Sequence, residues 1–377
     1  QITMSTITIS KDGSFGVHEG QRVSKYVISN ASGLSLSVVE YGATVICVSA
    51  PDKDGICEEI TLNYKSLDEL VAKYGPHFGC LAGRYANRIK AGKFEIDGES
   101  FQLNLNNNGI NHLHGGRFGF DTKVWSSRIV ETDNEKGVEF VYLSPDGDEL
   151  YPGTLEVTFS VMFSNIANEF TFSFGAKALD RPTVVNLTNH TYWNLSGDLR
   201  AKILDHTLHL SCDHYIPVTT PAAIPTGEIA PVRDTPFDFT TVKKLSEGIL
   251  QIEGGGQQGI DHCFVVTTAF DESGTYRHNP ALQKVDKKAF LRHIATVMDP
   301  VSGRCMTVHG TQPGVQVYTA NFLSKDPAAH PFVQHNGMCL ETNHFPDSPN
   351  NPNFPSTLLR PTDEPYFHQT VHTFSVV

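Results

Sequence analysis

Apolar side chains recur at every second position along much of the chain. Leu155, Val157, Phe159, Val161 and Phe163 are separated by Glu156, Thr158, Ser160 and Met162; after a short polar turn, Phe170, Phe172 and Phe174 are separated by Thr171 and Ser173. Such alternation predicts β-strands with one face buried. Phe94-Glu95-Ile96 and the run Phe101 to Leu105 flank Asp97-Gly98, a dipeptide suited to a two-residue hairpin turn. Leu34 to Val39 leads through Tyr41-Gly42 into a further apolar run, Thr44 to Val48. Helical periodicity is sparse. Ser66 and Glu69 form a capping box and Gly75 a stop around one short helix, and Val242 to Leu250 predicts another.

Strand and helix signals do not alternate, which disfavours a doubly wound α/β fold. No repeat or linker divides the chain, and 31 glycines and 21 prolines punctuate many short strands. The pattern predicts a single all-β domain over residues 1–377, a large twisted antiparallel β-sandwich. Residues 1–10 are expected to be disordered, with Met4 the native start.

Three polar clusters break the strand pattern where a plain turn does not require them. The first is Gly83-Arg84-Tyr85-Ala86-Asn87-Arg88-Ile89 with Asn111-His112-Leu113-His114-Gly115-Gly116, the second Val185 to Leu195, and the third Cys339-Leu340-Glu341-Thr342-Asn343-His344. Between the last two lie Gly259-Ile260-Asp261-His262 and Thr311-Gln312-Pro313-Gly314. Together they supply imidazoles that exchange protons near neutrality, carboxylates, and amide and guanidinium groups suited to a hydroxyl-rich ligand. Trp193 offers an apolar face for the C–H groups of a pyranose. Glu341 follows the apolar Gly337 to Leu340, where a carboxylate is costly to bury without partners.

Each residue also has a plainer reading. A lone histidine such as His190 is more often structural than catalytic. Asp261 suits a turn cap, and Arg84 and Arg88 suit surface ion pairs. His112 and His114 share one face of a strand and suggest a metal pair, but no spacing supplies a third ligand, so no metal or other cofactor is expected.

Charge narrows the partners. With 29 Lys+Arg against 41 Asp+Glu the formal charge is -12. That surface repels phosphate backbones, so neither nucleic acid nor membrane is an expected partner and a neutral small molecule is favoured. Seven scattered cysteines without a C-x-x-C pair suit a reducing compartment. No signal peptide is recognised at the N-terminus, so the expected location is cytoplasmic and the sequons at Asn30, Asn186, Asn189 and Asn194 are chance matches. Oligomeric state stays open between monomer and weak dimer.

Taken in order, Gly83 to Ile89, Leu113 to Gly116, Asn186 to Tyr192, Gly259 to His262 and Cys339 to Thr342 resemble the signature of the aldose 1-epimerase, or galactose mutarotase, family. Ser144 to Gly147, Tyr151 to Gly153, Ile224 to Gly227 and Thr311 to Gly314 extend the resemblance from about Leu34 to His368. It implies a β-supersandwich that interconverts the α and β anomers of free hexoses such as galactose and glucose. It further implies Glu341 as general base, His190 as general acid and His114 beside the ring oxygen. Asn87, Arg88, Asp261 and Gln312 are implied to hold sugar hydroxyls. Trp193, His344 and His112 depart from the usual pattern. Sugar-phosphate epimerisation, a non-catalytic sugar-binding module, and glycoside hydrolysis by Asp261 with Glu341 are the rival readings.

Overall fold

A computed structural model describes residues 6–72, 75–267 and 291–377. The period-two segments form the centre of a nine-stranded antiparallel sheet. In it Leu155–Ser164 lies between Glu135–Ser144 and Glu169–Ala178, and Tyr366–Val376 follows on the far side of the last. Phe159 pairs with Phe140 on one neighbour and Phe174 on the other, all three buried. Burying each such ring contributes roughly 2–3 kcal/mol. A one-residue slip would turn the whole row outward, so the register is strongly fixed.

A second sheet of seven strands carries Asp261–Val265, Gly314–Tyr318, Met338–Asn343 and Tyr192–Trp193 as neighbours in that order. Every residue of these four strands is buried. One face presents Phe264, Val315, Val317, Met338, Leu340 and Trp193 to the core shared with the large sheet. Alternation then gives the other face Asp261, Cys263, Gln316, Tyr318, Cys339, Glu341 and Tyr192. A five-stranded sheet, Thr8–His18 to Cys57–Glu59, adds Tyr26, Ile28, Leu36 and Val48 to the same core.

The expected local features appear. Lys93–Ile96 and Glu99–Gln102 pair across Asp97 and Gly98, both at positive φ (52° and 83°), as a primed hairpin turn requires. Leu67–Ala72 is helical with its Glu69 N–H donating to Ser66 Oγ at 3.3 Å, and Leu245–Ile249 forms the second short helix. Order begins earlier than expected. Thr8–His18 is a strand paired with Gln21–Ser29, because Ile7 and Ile9 pack on the core.

The four sequon asparagines are buried ties between loops. Asn189 Nδ2 donates to Gly79 O, Asn186 Nδ2 to His344 O, Asn194 Nδ2 to Asn336 O, and Asn30 Nδ2 to Asn168 Oδ1.

Buried imidazoles make this fold acid-sensitive. Burial pulls His112 and His262 down to about 4, and His368 and His372 to about 3, from an ordinary 6.5. The unfolded chain therefore takes up protons that the folded chain refuses. Each imidazole withdraws up to about 1.4 kcal/mol per pH unit as pH falls from the ordinary value toward its folded one. The melting temperature should drop steadily from pH 7 to pH 5. His372 stacks on Phe170 with an Nδ1 that has no hydrogen-bond partner among the described residues, so His372→Phe should make that slope shallower. A slope unchanged in the variant would assign the sensitivity elsewhere.

Candidate active site

The polar face of the seven-stranded sheet floors a cavity of about 640 Å³, within the range of small-molecule sites. Glu341, on Met338–Asn343, lies beside Gln316 in the ladder, and Asp261 and Tyr318 sit opposite each other two positions along. His190 enters from the loop before Tyr192–Trp193. Its N–H donates to Cys80 O and its carbonyl accepts from Gly79 N–H, both at 2.9 Å.

His190 Nε2 stands 3.6 Å from Glu341 Oε1, and the other carboxylate oxygen, Oε2, is buried with no hydrogen-bond partner among the described residues. A buried acceptor of that kind is well placed to take a ligand hydroxyl. Across the cavity Arg88 Nη1 lies 3.5 Å from Asp261 Oδ2, while Asp261 Oδ1 accepts from Gln316 Nε2 at 2.7 Å.

Asn87 and His114 are locked together by backbone. The His114 N–H donates to Asn87 O at 3.1 Å, and the Asn87 N–H donates to His114 Nδ1 at 3.2 Å. That arrangement makes Nε2 the protonated nitrogen of a neutral His114. The following Gly115 has φ 86°, and a Cβ there would stand 1.7 Å from Gly83 O. The His-Gly-Gly turn is thus forced by the close approach of two loops.

Protonation is governed by burial. It drives His190 down to about 3, with His77 adding to the effect, and pushes Glu341 well above the usual carboxylate range, Asp261 reinforcing this and Arg88 opposing it. Mutual attraction between the two favours an ionised Glu341 beside a protonated His190. Desolvation works against that attraction at 3.6 Å, so burial favours the neutral form of each group.

Six of the seven expected residues meet here: Asn87, Arg88, His114, His190, Asp261 and Glu341 all line the cavity. Gln312 does not. It lies before Gly314–Tyr318 and donates to Tyr366 Oη at 3.0 Å, while Gln316, inside that strand, holds Asp261. Its place between Val315 and Val317 was the available signal, since an amide in an apolar strand needs a partner.

Trp193 faces the core against His372 and Phe374, so Tyr192, Tyr318 and Phe322 supply the aromatic wall. His344 is also outside the cavity, its N–H bound to Asn186 Oδ1. Arg84 makes no surface ion pair among the described residues. It is buried and donates to Pro152 O, Gly153 O and Ser144 Oγ, pinning the first cluster to the large sheet.

The profile of the aldose 1-epimerase family matches residues 24–372. The chain is 38% identical over 346 residues to galactose mutarotase of Sus scrofa, covering 91% of this chain and 92% of that one. It is 31% identical over 351 residues to aldose 1-epimerase of Escherichia coli, with 92% and 94% covered. The chain belongs to the aldose 1-epimerase family. An aldose epimerase homologue from C. elegans has the same fold, with a TM-score of 0.77, 26% identity and coverage of 92% of this chain and 97% of that one. Galactose 1-epimerase from Lactobacillus acidophilus aligns over 99% of both chains with a TM-score of 0.79 at 24% identity, a likeness of fold.

Two trios in this epimerase bring donor atoms within 4.8 Å of one another among the described residues: His77, Cys80 and Asp121, and His190, Cys339 and Glu341. Burial pushes both thiols well up, which works against the thiolate a metal would need. His112 joins neither trio. Its Nδ1 donates to Asn104 O at 2.8 Å and its Nε2 accepts from Tyr151 Oη at 2.6 Å.

The protonation pattern predicts a broad pH–rate plateau. One proton shared by Glu341 and His190 persists from well below the ordinary imidazole range, where His190 takes a second, up to above the usual carboxylate value, where Glu341 loses the last. In kcat/KM measured from pH 4 to 9, the acid limb should lie far below 6.5. An inflection at the free imidazole value would contradict the dominance of burial.

Proposed function

We propose that Glu341 and His190 interconvert the α and β anomers of a free aldose such as galactose or glucose by opening and reclosing its ring. Ring opening removes a proton from the C1 hydroxyl and delivers one to the ring oxygen. Glu341 takes the first and His190 supplies the second. The aldehyde then rotates about C1–C2, and on closure Glu341 returns its proton to the aldehyde oxygen while neutral His190 takes one back from the hydroxyl that re-forms the ring. The neutral arrangement that burial favours is therefore a state the cycle itself visits.

The observation that carries this reading is the facing of Glu341 and His190 at 3.6 Å on the cavity floor, ringed by hydroxyl-binding groups. His114 presents a protonated Nε2 suited to the ring-oxygen region, and Asn87, Arg88 and Asp261 hold hydroxyls. Gln316 supports this set by fixing Asp261. An acid and a base positioned in this way each contribute typically ~10²–10⁴-fold. Holding C1 and the ring oxygen between them adds to that.

The rival readings fit less well. Arg88 is the one Lys or Arg among the described residues lining the cavity, and it already faces Asp261, so a sugar phosphate lacks its cationic pocket. Asp261 is engaged by Arg88 and Gln316, which suits a binding group better than the second carboxylate of a glycosidase. A pure binding module needs neither acid nor base. No helix among the described residues is long and apolar enough to cross a membrane.

Polarimetry or exchange NMR on fresh α-anomers tests the proposal. Glu341→Gln and His190→Asn should each slow interconversion by roughly 10²-fold or more while sugar binding largely survives. Because both act on one proton-transfer step, the double variant should be little worse than the poorer single. Activity should also persist after exhaustive chelation. A Glu341→Gln variant that binds sugar and turns over normally would remove the base assignment.

A further inference from the structure

The ring of His190 meets the same strand at both of its nitrogens. Nδ1 lies 3.5 Å from Cys339 Sγ, and Nε2 lies 3.6 Å from Glu341 Oε1. Cys339 and Glu341 are two residues apart on Met338–Asn343, so both side chains project from the cavity face of the sheet. The imidazole lies along that strand and spans from one to the other. Glu341 lines the cavity, whereas Cys339 is fully buried behind it, so its sulfur reaches a ligand only through His190.

The ring is held from other directions too. The His190 N–H donates to Cys80 O and its carbonyl accepts from Gly79 N–H. Tyr192, the ladder partner of Cys339, stacks on the imidazole with centroids 5.1 Å apart and planes inclined by 22°. Tyr192 is itself fixed by its Oη, which donates to Pro76 O at 2.9 Å.

Proton traffic decides which way the sulfur contact points. In the proposed cycle the nitrogen facing Glu341 gives its proton to the ring oxygen and later takes one back. A neutral imidazole carries a single N–H, so between those steps the proton rests on Nδ1 and Nε2 is bare. Nδ1 therefore stays a donor throughout, and Cys339 Sγ is its acceptor. Burial holds the thiol protonated, Glu341 adding to the effect, so that acceptor is an uncharged sulfur. Sulfur is a weak acceptor. It orients the ring without stabilising the imidazolium as a carboxylate would, which leaves His190 a ready proton donor.

We infer that Cys339 is a positioning residue for the acid: its sulfur accepts the Nδ1–H of His190 and so reserves Nε2 for proton exchange with the sugar. This inference rests on the proposed ring-opening reaction.

The test uses the full-length chain with its Cys339→Ala and Cys339→Ser variants. Long-range nitrogen–proton NMR of histidine-labelled protein reads the tautomer, the His190 signals being assigned by their loss in His190→Asn. In the sugar-free wild type at neutral pH, Nδ1 should give the signal of a protonated nitrogen and Nε2 that of a bare one. Cys339→Ala should admit the opposite tautomer. It should also lower kcat roughly three- to tenfold, the range of one hydrogen bond, with Kd for the sugar within about twofold. Cys339→Ser restores an acceptor and should recover part of the lost kcat. Packing alone predicts the reverse order, because a buried hydroxyl costs more than a methyl group.

A proton found on Nε2 of the neutral wild-type ring would overturn the inference. So would a Cys339→Ala variant with unchanged kcat and tautomer, or a serine variant slower than the alanine one. Should the wild type bind sugars without equilibrating their anomers, the proposed function falls, while the NMR signals of wild type and Cys339→Ala still decide whether the sulfur sets the tautomer.

Discussion

A carboxylate held inside a sheet is the constraint from which the rest of the site follows. Glu341 occupies Met338–Asn343, flanked by Gly314–Tyr318 on one side and Tyr192–Trp193 on the other, and is 2% exposed. Left alone, such a group keeps its proton and gives no base. Arg88 pulls against that tendency across the cavity, while Asp261 pushes with it, and Gln316 and Arg88 hold Asp261 in place. A ligand hydroxyl donating to Oε2 would act in the same sense as Arg88, favouring the ionised form. Removing any one of these groups therefore changes the proton affinity of the carboxylate as well as a contact.

The architecture was largely legible in the sequence because the large sheet has one apolar face and one wetter face, so Leu155 to Phe163 advertises itself by alternation. The site sheet was harder to read. It is buried on both sides, so Met338 to Asn343 shows no period that says which side Glu341 faces. The parity question explains the misplacement of Trp193. Adjacent aromatics, Tyr192 and Trp193, point to opposite faces, and the register against Cys339 and Met338 decides which one meets the ligand. Gln312 and Gln316 pose the same problem four residues apart.

Other residues left no local trace. His77 lines the cavity from a turn tied to His190 by backbone, and its side-chain partner Asp121 lies 44 positions away. Arg84 looked like a surface cation because its acceptors, the carbonyls of Pro152 and Gly153, carry no sequence signature. The sequon asparagines hid their role in a different way. Their spacing matches a glycan acceptor, yet their amides are loop brackets, two of them tying the segment around His190 to Gly79 and His344. Polar residues that satisfy backbone are invisible to pattern reading, since any carbonyl will serve as partner.

The two-faced sheet has a consequence for how the cell would experience errors in this protein. Leu340 and Glu341 are neighbours on one strand, the first in the core and the second in the cavity. A strand paired one residue out of step would send the carboxylate into the core and the leucine into the cavity, and the same would hold for Val315 with Gln316. Such a chain loses its packing at the moment it loses its chemistry. Misassembled copies would then be recognised by exposed apolar surface and cleared, so the surviving population is screened for activity by the same machinery that screens for folding.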